Sequence, residues 1–238
     1  MPTSKLPPYT IEYSNSEEYH YLKREIWSGH CYYTELEVED RAPVIVDAGA
    51  HIGISTLYFA KHFPTAQIIA IEPNPITREL LENNIWNNRL EDRVSVLPVA
   101  LSNQTGSAPL FHLPTKQWQL NANLTPQAWN GDKLAESLEV ETITLSSLIS
   151  QPTDIVKLDI EGAELLVLKE SRDVLHFIQH LWVEFHPSGK NSLPELTQLL
   201  IKQGFKITIW QKEKIVSLEN VRGLCLIHAT KNQLPPGE

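Results

Sequence analysis

The chain has 238 residues, 42% hydrophobic and 21% charged, a balance that supports a full buried core and excludes wholesale disorder. Lys and Arg number 20 against 29 Asp and Glu, a formal charge of −9, which disfavours a general nucleic-acid binder because such proteins displace counterions with a basic surface. Two cysteines (Cys31 and Cys225), no apolar leader-like stretch at the start and no run near the ~18 apolar residues of a membrane span give the expectation of a soluble, cytoplasmic protein with reduced thiols.

Residues 1–13 are Pro-rich and read as extended. Ser14-x-x-Glu17 reads as a capping box that opens a short helix to about Trp27, closed by Ser28-Gly29. Residues 1–42 are therefore expected to be an extension and 43–238 an α/β domain. Val44-Ile-Val46 and Gln67-Ile-Ile-Ala-Ile71 are continuous apolar runs, the pattern of strands covered on both faces. Between them lie a Gly-containing turn and a helix over 54–62. Asn74-Pro75 caps a helix to about Asn88. Strands follow at 94–99, 154–158 and 180–185, then a helix from Ser192 to Gly204 and two closing strands at 205–210 and 224–228. Strand alternating with helix predicts a mostly parallel, doubly wound sheet whose last two strands form an antiparallel pair. Residues 112–135, with Trp118 and Trp129, fit no period and read as a lid loop.

Open α/β sheets bind ligands at the carboxyl ends of their strands, where strand order reverses. The first strand runs into Asp47-Ala-Gly-Ala-His-Ile-Gly53, which is neither a GxGxxG nor a P-loop. Gly49 suits a tight turn and Gly53 the packing of the next helix. Glu72 lies 19 residues past Gly53, at the end of the second strand, where a carboxylate accepts hydrogen bonds from ribose hydroxyls. Asp47 would repel a pyrophosphate at the helix start but suit a ligand with a cationic centre and an amino group, which favours S-adenosylmethionine over a dinucleotide.

Val46-Asp-Ala-Gly-Ala-His-Ile-Gly53, Ile71-Glu-Pro-Asn74, Val99-Ala-Leu-Ser102 and Lys157-Leu-Asp-Ile-Glu-Gly-Ala-Glu164 together resemble the FkbM-type methyltransferases over roughly residues 40–210. The resemblance implies an α/β, Rossmann-like methyltransferase sheet of seven strands, mostly parallel with an antiparallel last strand and helices on both faces. It implies S-adenosyl-L-methionine as cofactor and a hydroxyl acceptor on a small molecule, sugar or lipid. Asp47, Gly49, Ala50, His51 and Gly53 would wrap its methionine part, Glu72 its ribose with Pro73 and Asn74 shaping the pocket, and Ala100 and Leu101 its adenine. Ala100-Leu101 reads equally as a strand end entering a hairpin. The family more often carries Asn where this chain has His51, which leaves the role of that side chain open.

On the acceptor side, Asp159 ends the fourth strand and shares a face with Lys157. Glu161 continues toward the reaction site, and Glu164 reads as an acid at a helix start. Glu184 and His186 share a face at the end of the fifth strand. Asp159, Glu161 and His186 are the expected catalytic group, with His186 or Asp159 as proton acceptor. Tyr33, Trp118 and Glu184 are expected to bind the acceptor. A metal held by Asp159, Glu184 and His186 is the rival mechanism; the expectation is none, since Mg²⁺ prefers oxygen donors alone. An N-methyltransferase is disfavoured because no Asn/Asp-Pro-Pro-Tyr/Phe element follows the fourth strand. A nucleoside-binding module without chemistry stands as the reading from another class.

Overall fold

The computed structural model describes residues 1–36, 41–112, 122, 124, 126, 130–131, 133, 136–189 and 191–231. The chain opens with a hairpin of β1 (Thr3–Leu6) and β2 (Tyr9–Glu12), then α1 (Ser16–Leu22), which runs into a π-helical turn at Lys23–Ser28. The cap is Asn15 rather than Ser14: its Oδ1 accepts from the amides of Glu17 and Glu18 at 3.0 and 3.1 Å. An Asx side chain in extended backbone satisfies two orphan amides of the first turn.

The doubly wound region follows as β3 (Val44–Ala48), α2 (Ile54–His62), β4 (Gln67–Ile71), α3 (Pro75–Asn87) and β5 (Val94–Leu97). Next come β6 (Val99–Leu101), β7 (Gly106–His112), β8 (Glu136–Ile143) and α4 (Leu145–Leu148). The remainder is β9 (Thr153–Leu158), α5 (Glu164–Glu170), β10 (Ile178–Phe185), α6 (Leu193–Lys202), β11 (Lys206–Gln211), β12 (Lys214–Ile215) and β13 (Cys225–Thr230). The main sheet has the order β12-β11-β13-β10-β9-β3-β4-β5. Pairings from β10 through β5 are parallel, and β13 runs antiparallel to both β10 and β11. Seven of its strands match the expected set; the eighth is the two-residue β12, which pairs with the end of β11.

Alternation along each strand divides the core. Ile45, Ile68, Ala70, Ile155 and Trp182 pack on one face with residues of α2 and α3, whereas Val46, Ile71, Val156, Leu158 and Val183 pack on the other with α5 and α6. A sheet covered on both faces needs strands apolar at every position, hence the unbroken runs in the sequence. Leu6, Ile11, Tyr19, Leu22, Ile26, Trp27 and Tyr32 belong to the first of these clusters, so the N-terminal segment and the sheet share one core.

The expected strand over 94–99 breaks at Pro98. Proline has no amide for the ladder, and the chain leaves the main sheet there. Residues 99–101 instead pair parallel with β8, and β7 pairs antiparallel with β8, forming a separate three-stranded sheet. The expected lid loop at 112–135 begins at the end of β7; most of it, with Trp118 and Trp129, lies outside the described residues. Among the described residues no helix is long and apolar enough to cross a membrane.

Candidate active site

β3 and β9 are neighbours in the sheet, and the chain leaves them in opposite directions, β4 lying beyond β3 and β10 beyond β9. Strand order therefore reverses above them, and a cleft of about 640 Å³ including its open mouth sits there. Its walls include Gly49, His51, Glu72, Pro73, Ala100, Leu101, Asp159 and Glu161. Val99, Leu110 and Leu124 add an apolar end. That end is supplied in part by β6 and β7 of the small sheet.

Gly49 has φ +77°, and a Cβ there would stand 1.8 Å from the carbonyl oxygen of Asp159. Glycine is thus required by the close approach of two loops of the protein itself, which joins the β3 turn to the end of β9. At Gly53, φ is +94° and a Cβ would meet Leu81 Cδ1 at 2.8 Å, so this residue seats α2 against α3. His51 and Glu161 also adopt left-handed backbone, at φ +52° and +55°. For residues with a Cβ this costs on the order of 1–3 kcal/mol and is retained where a site requires the geometry. Both line the cleft.

Glu72 is buried, and each of its oxygens is held by a backbone amide: His51 N donates to Oε2 at 2.8 Å and Asn74 N to Oε1 at 2.9 Å. Asn74 in turn caps α3, its side chain accepting from Ile76 N at 3.1 Å. A carboxylate fixed by two amides still has lone pairs to offer a ligand. The His51 ring reaches toward the N-terminal segment, Nε2 lying 3.4 Å from Glu18 Oε1.

The other end of the cleft is acidic. His186, at 2% exposure, lies at the end of β10. Its Nδ1 is 2.9 Å from Glu164 Oε1, and its Nε2 lies 3.7, 3.8 and 4.0 Å from carboxylate oxygens of Glu161, Asp159 and Glu184. Lys157, at 1% exposure, donates to the carbonyls of Ala48 and Gly49 at 3.3 and 2.9 Å. It also stands 3.2 Å from Asp47 Oδ1 and 3.3 Å from Asp159 Oδ2.

A model of the methyltransferase FkbM domain matches residues 47–207, the span from the end of β3 into β11. The chain belongs to the FkbM methyltransferase family. Among curated relatives, methyltransferase sdnD of Sordaria araneosa is 31% identical over 80% of this chain and 83% of its own length. The 31-O-demethyl-FK506 methyltransferase FkbM of Streptomyces tacrolimicus is 27% identical over 85% and 87%. Among solved structures, methyltransferase FkbM of Methylobacillus flagellatus superposes with a TM-score of 0.52 at 18% identity. That match covers 81% of this chain but only 44% of the other, so it shows the shared fold.

Within this FkbM fold all the expected site residues but Asp47, Tyr33 and Trp118 fall into three groups. Gly49, His51, Glu72, Pro73, Ala100, Leu101, Asp159 and Glu161 line the cleft. Glu184 and His186 join Asp159 and Glu161 in the acidic group. Gly53, Asn74 and Ala50 lie behind the wall and shape it. Asp47 is fully buried: Ser55 Oγ and Thr56 Oγ1 donate to its Oδ2 at 2.8 and 2.6 Å, and Lys157 faces Oδ1. It therefore anchors Lys157 and the first turn of α2 instead of facing the cleft. Tyr33 is 53% exposed, its hydroxyl donating to Glu35 at 3.0 Å. The neighbouring Tyr32 takes the inner position; it is buried, and its hydroxyl donates to Glu184 Oε2 at 3.4 Å. Trp118 lies outside the described residues. Sequence reasoning took Tyr33 from the aromatic pair 32–33 and missed Glu18 and Asn191, neither of which stands in a recognisable motif.

Electrostatics set the surroundings of His186. Burial alone would lower its pKa, but Glu161 and Glu164 outweigh burial and hold it well above the usual imidazole value. Lys157 behaves alike: burial lowers it, and Asp159 and Asp47 raise it further, so it stays an ammonium. His51 is likewise lowered by burial and raised on balance by Glu18 and Glu72. Glu184 moves well above the carboxylate range, first through burial and then through Asp159. Both groups are thus shifted toward holding a proton, the Glu184 carboxyl by burial and by Asp159, and the imidazole by its carboxylate neighbours. Asp159, Glu184 and His186 also present one donor atom each within 4.8 Å of one another, a grouping of a kind able to hold a metal ion.

Proposed function

We propose that this chain moves the methyl group of S-adenosylmethionine to a hydroxyl oxygen of a small-molecule, sugar or lipid acceptor. One observation carries the reading: a single cleft at the switch point has a fixed, buried carboxylate, Glu72, on one wall and a proton-accepting acidic group at the other end. The residues present fit the cofactor. Ala100, Leu101 and Leu110 offer apolar surface to a flat base, and Glu72 offers acceptor oxygens to a ribose diol. Gly49 and Asp159 border the part nearest the acids. When bound, the cofactor supplies an electrophilic methyl carbon on a sulfonium, whose positive charge suits an acid-rich wall.

The protein's own share of the reaction is alignment and proton removal. Asp159 faces the cleft and accepts a hydrogen bond from the acceptor hydroxyl. As the methyl–oxygen bond forms and the methyl–sulfur bond breaks, that proton passes to Asp159 and on to Glu184, which lies within 4.8 Å of it and is raised in basicity by burial. Lys157 holds Asp159 in place from below. Transfer to oxygen is supported by the S. tacrolimicus relative, a 31-O-demethyl-FK506 methyltransferase, and by the absence of an amine-positioning element after β9.

The test is calorimetric titration of S-adenosylhomocysteine into the protein and into Glu72→Ala. Losing hydrogen bonds to a charged acceptor costs about 1.5–3 kcal/mol, so affinity is expected to fall about 10–150-fold with the fold retained. Equal affinities would remove Glu72 from the cofactor site.

A further inference from the structure

The turn between β3 and α2 carries His51 in a backbone conformation that a histidine does not favour by itself. Gly53 N donates to the carbonyl of Ala50 at 2.8 Å, which makes residues 50–53 a turn with His51 as its first central residue, at φ +52°. A positive φ at that place is the preference of Gly, Asn and Asp. The conformation matters to the cleft because it aims the His51 amide at Glu72 Oε2, 2.8 Å away. Its neighbours are held from elsewhere: Ala50 N donates to the carbonyl of Ile71 at 3.0 Å, and the carbonyl of Ile52 accepts from Asn84 Nδ2 at 2.8 Å.

The His51 ring has a support of its own. Its Nε2 stands 3.4 Å from Glu18 Oε1, and both residues are buried, Glu18 at 3% exposure. A hydrogen on Nε2 attracts a carboxylate oxygen in the neutral tautomer as well as in the cation, so the contact does not depend on titration of the ring. Glu18 is itself fixed. Its amide donates to Asn15 Oδ1 at 3.1 Å, and the adjacent Tyr19 is buried and stacks on Tyr13 with ring centroids 4.3 Å apart. α1 precedes residue 47, where the match to the FkbM domain begins, so this carboxylate reaches the cleft wall from outside the matched span.

We propose that Glu18 is a positioning residue of the cofactor site: by holding the His51 ring it keeps the turn in left-handed backbone, so that the His51 amide fixes Glu72 for the ribose diol. The contact with Glu18 offsets the strain that a residue with a Cβ carries at positive φ. The functional half of the proposal rests on the methyl-transfer reading above, whereas the coupling between Glu18 and the His51 amide is a property of the chain alone.

The experiment is hydrogen exchange of single backbone amides, read by NMR in the full chain without ligand. Glu72 accepts from two amides, His51 at 2.8 Å and Asn74 at 2.9 Å, and the second serves as internal control. Glu18→Met keeps a side chain of similar length and removes the acceptor oxygens. In that variant the His51 amide is expected to exchange about 10–100-fold faster, while the Asn74 amide stays within about 2-fold. Asn adopts left-handed backbone more readily than His, so in a His51→Asn background Glu18→Met is expected to leave the amide of residue 51 within about 2-fold. Affinity for S-adenosylhomocysteine, measured by calorimetry, is expected to fall about 3–10-fold in Glu18→Met, because the competent turn is then only partly populated. Equal acceleration of both amides would show general loosening and overturn the proposal, as would an unmoved His51 amide or an unchanged affinity. Glu18→Ala repeats the comparison if Glu18→Met does not fold. An unaltered protein that does not bind S-adenosylhomocysteine would remove the methyl-transfer reading with the exchange result standing, so the two failures are told apart.

Discussion

At the scale of single residues, the site separates charge by environment. Glu184 is raised by burial and by Asp159, and for an acid a raised pKa means that the protonated form persists to higher pH. Methyl transfer is therefore expected to rise with pH as Glu184 gives up its proton and becomes available as base. Glu184→Gln should remove that rise and lower turnover by about 10²–10⁴-fold, read as S-adenosylhomocysteine release against pH. A profile unaltered by the substitution would assign the base elsewhere. Lys157 supplies a stability prediction. It faces the fully buried Asp47, and truncating one partner of a buried pair leaves the other uncompensated. Lys157→Met is expected to cost about 3–5 kcal/mol in denaturant unfolding. The linkage of His186 has the same sense as that of Glu184, since both are raised on folding. A base raised on folding contributes stability that is fully present below its ordinary pKa and lost as pH rises through the folded value.

At the scale of elements, α3 grips the N-terminal hairpin with two asparagines one turn apart. Asn84 accepts from Glu12 N at 2.7 Å and donates to the carbonyls of Glu12 at 3.0 Å and Ile52 at 2.8 Å. Asn88 exchanges the same kind of pair with Thr10, at 2.9 and 2.7 Å. Each side-chain amide thus completes the free edge of β2 as a neighbouring strand would. Asn84 also reaches Ile52, inside the β3–α2 turn that borders the cleft. Asn84→Ala leaves backbone groups unpaired and is expected to lower stability by about 1–3 kcal/mol, measured by chemical denaturation. A change within a few tenths would show that water replaces the amide. Elements with long apolar runs or strong caps were legible in the sequence: β3, β4, β9, β10, α2 and α3 lie where they were expected. The three-stranded sheet was not, because β7 and β8 are largely exposed on one face and pair only with each other and β6. Pro98 was the available signal for the break.

At the scale of the whole molecule, the N-terminal segment shares a core with the sheet it precedes. Leu6, Ile11, Tyr19, Leu22, Ile26 and Trp27 fill the same core as Ile45 and Leu57, and Glu18 contacts His51 in the cleft wall. A chain lacking residues 1–29 is expected to lose cooperative thermal unfolding; an unchanged melting transition would show that the sheet stands without them. Short elements with mixed polarity reveal their packing partner only in three dimensions. The crevice and Glu72 were legible because the switch point and the spacing after Gly53 follow from topology. Burial turns Asp47 toward Lys157 and away from the cleft, and burial is a property of the folded chain.

The most direct measurement is the crystal structure of the protein with S-adenosylhomocysteine. The ribose diol is expected on the Glu72 carboxylate, with the base against Ala100, Leu101 and Leu110 and the sulfur directed at Asp159. A ligand bound elsewhere, or a diol held by other groups with Glu72 bonded only to the amides of His51 and Asn74, would contradict the account.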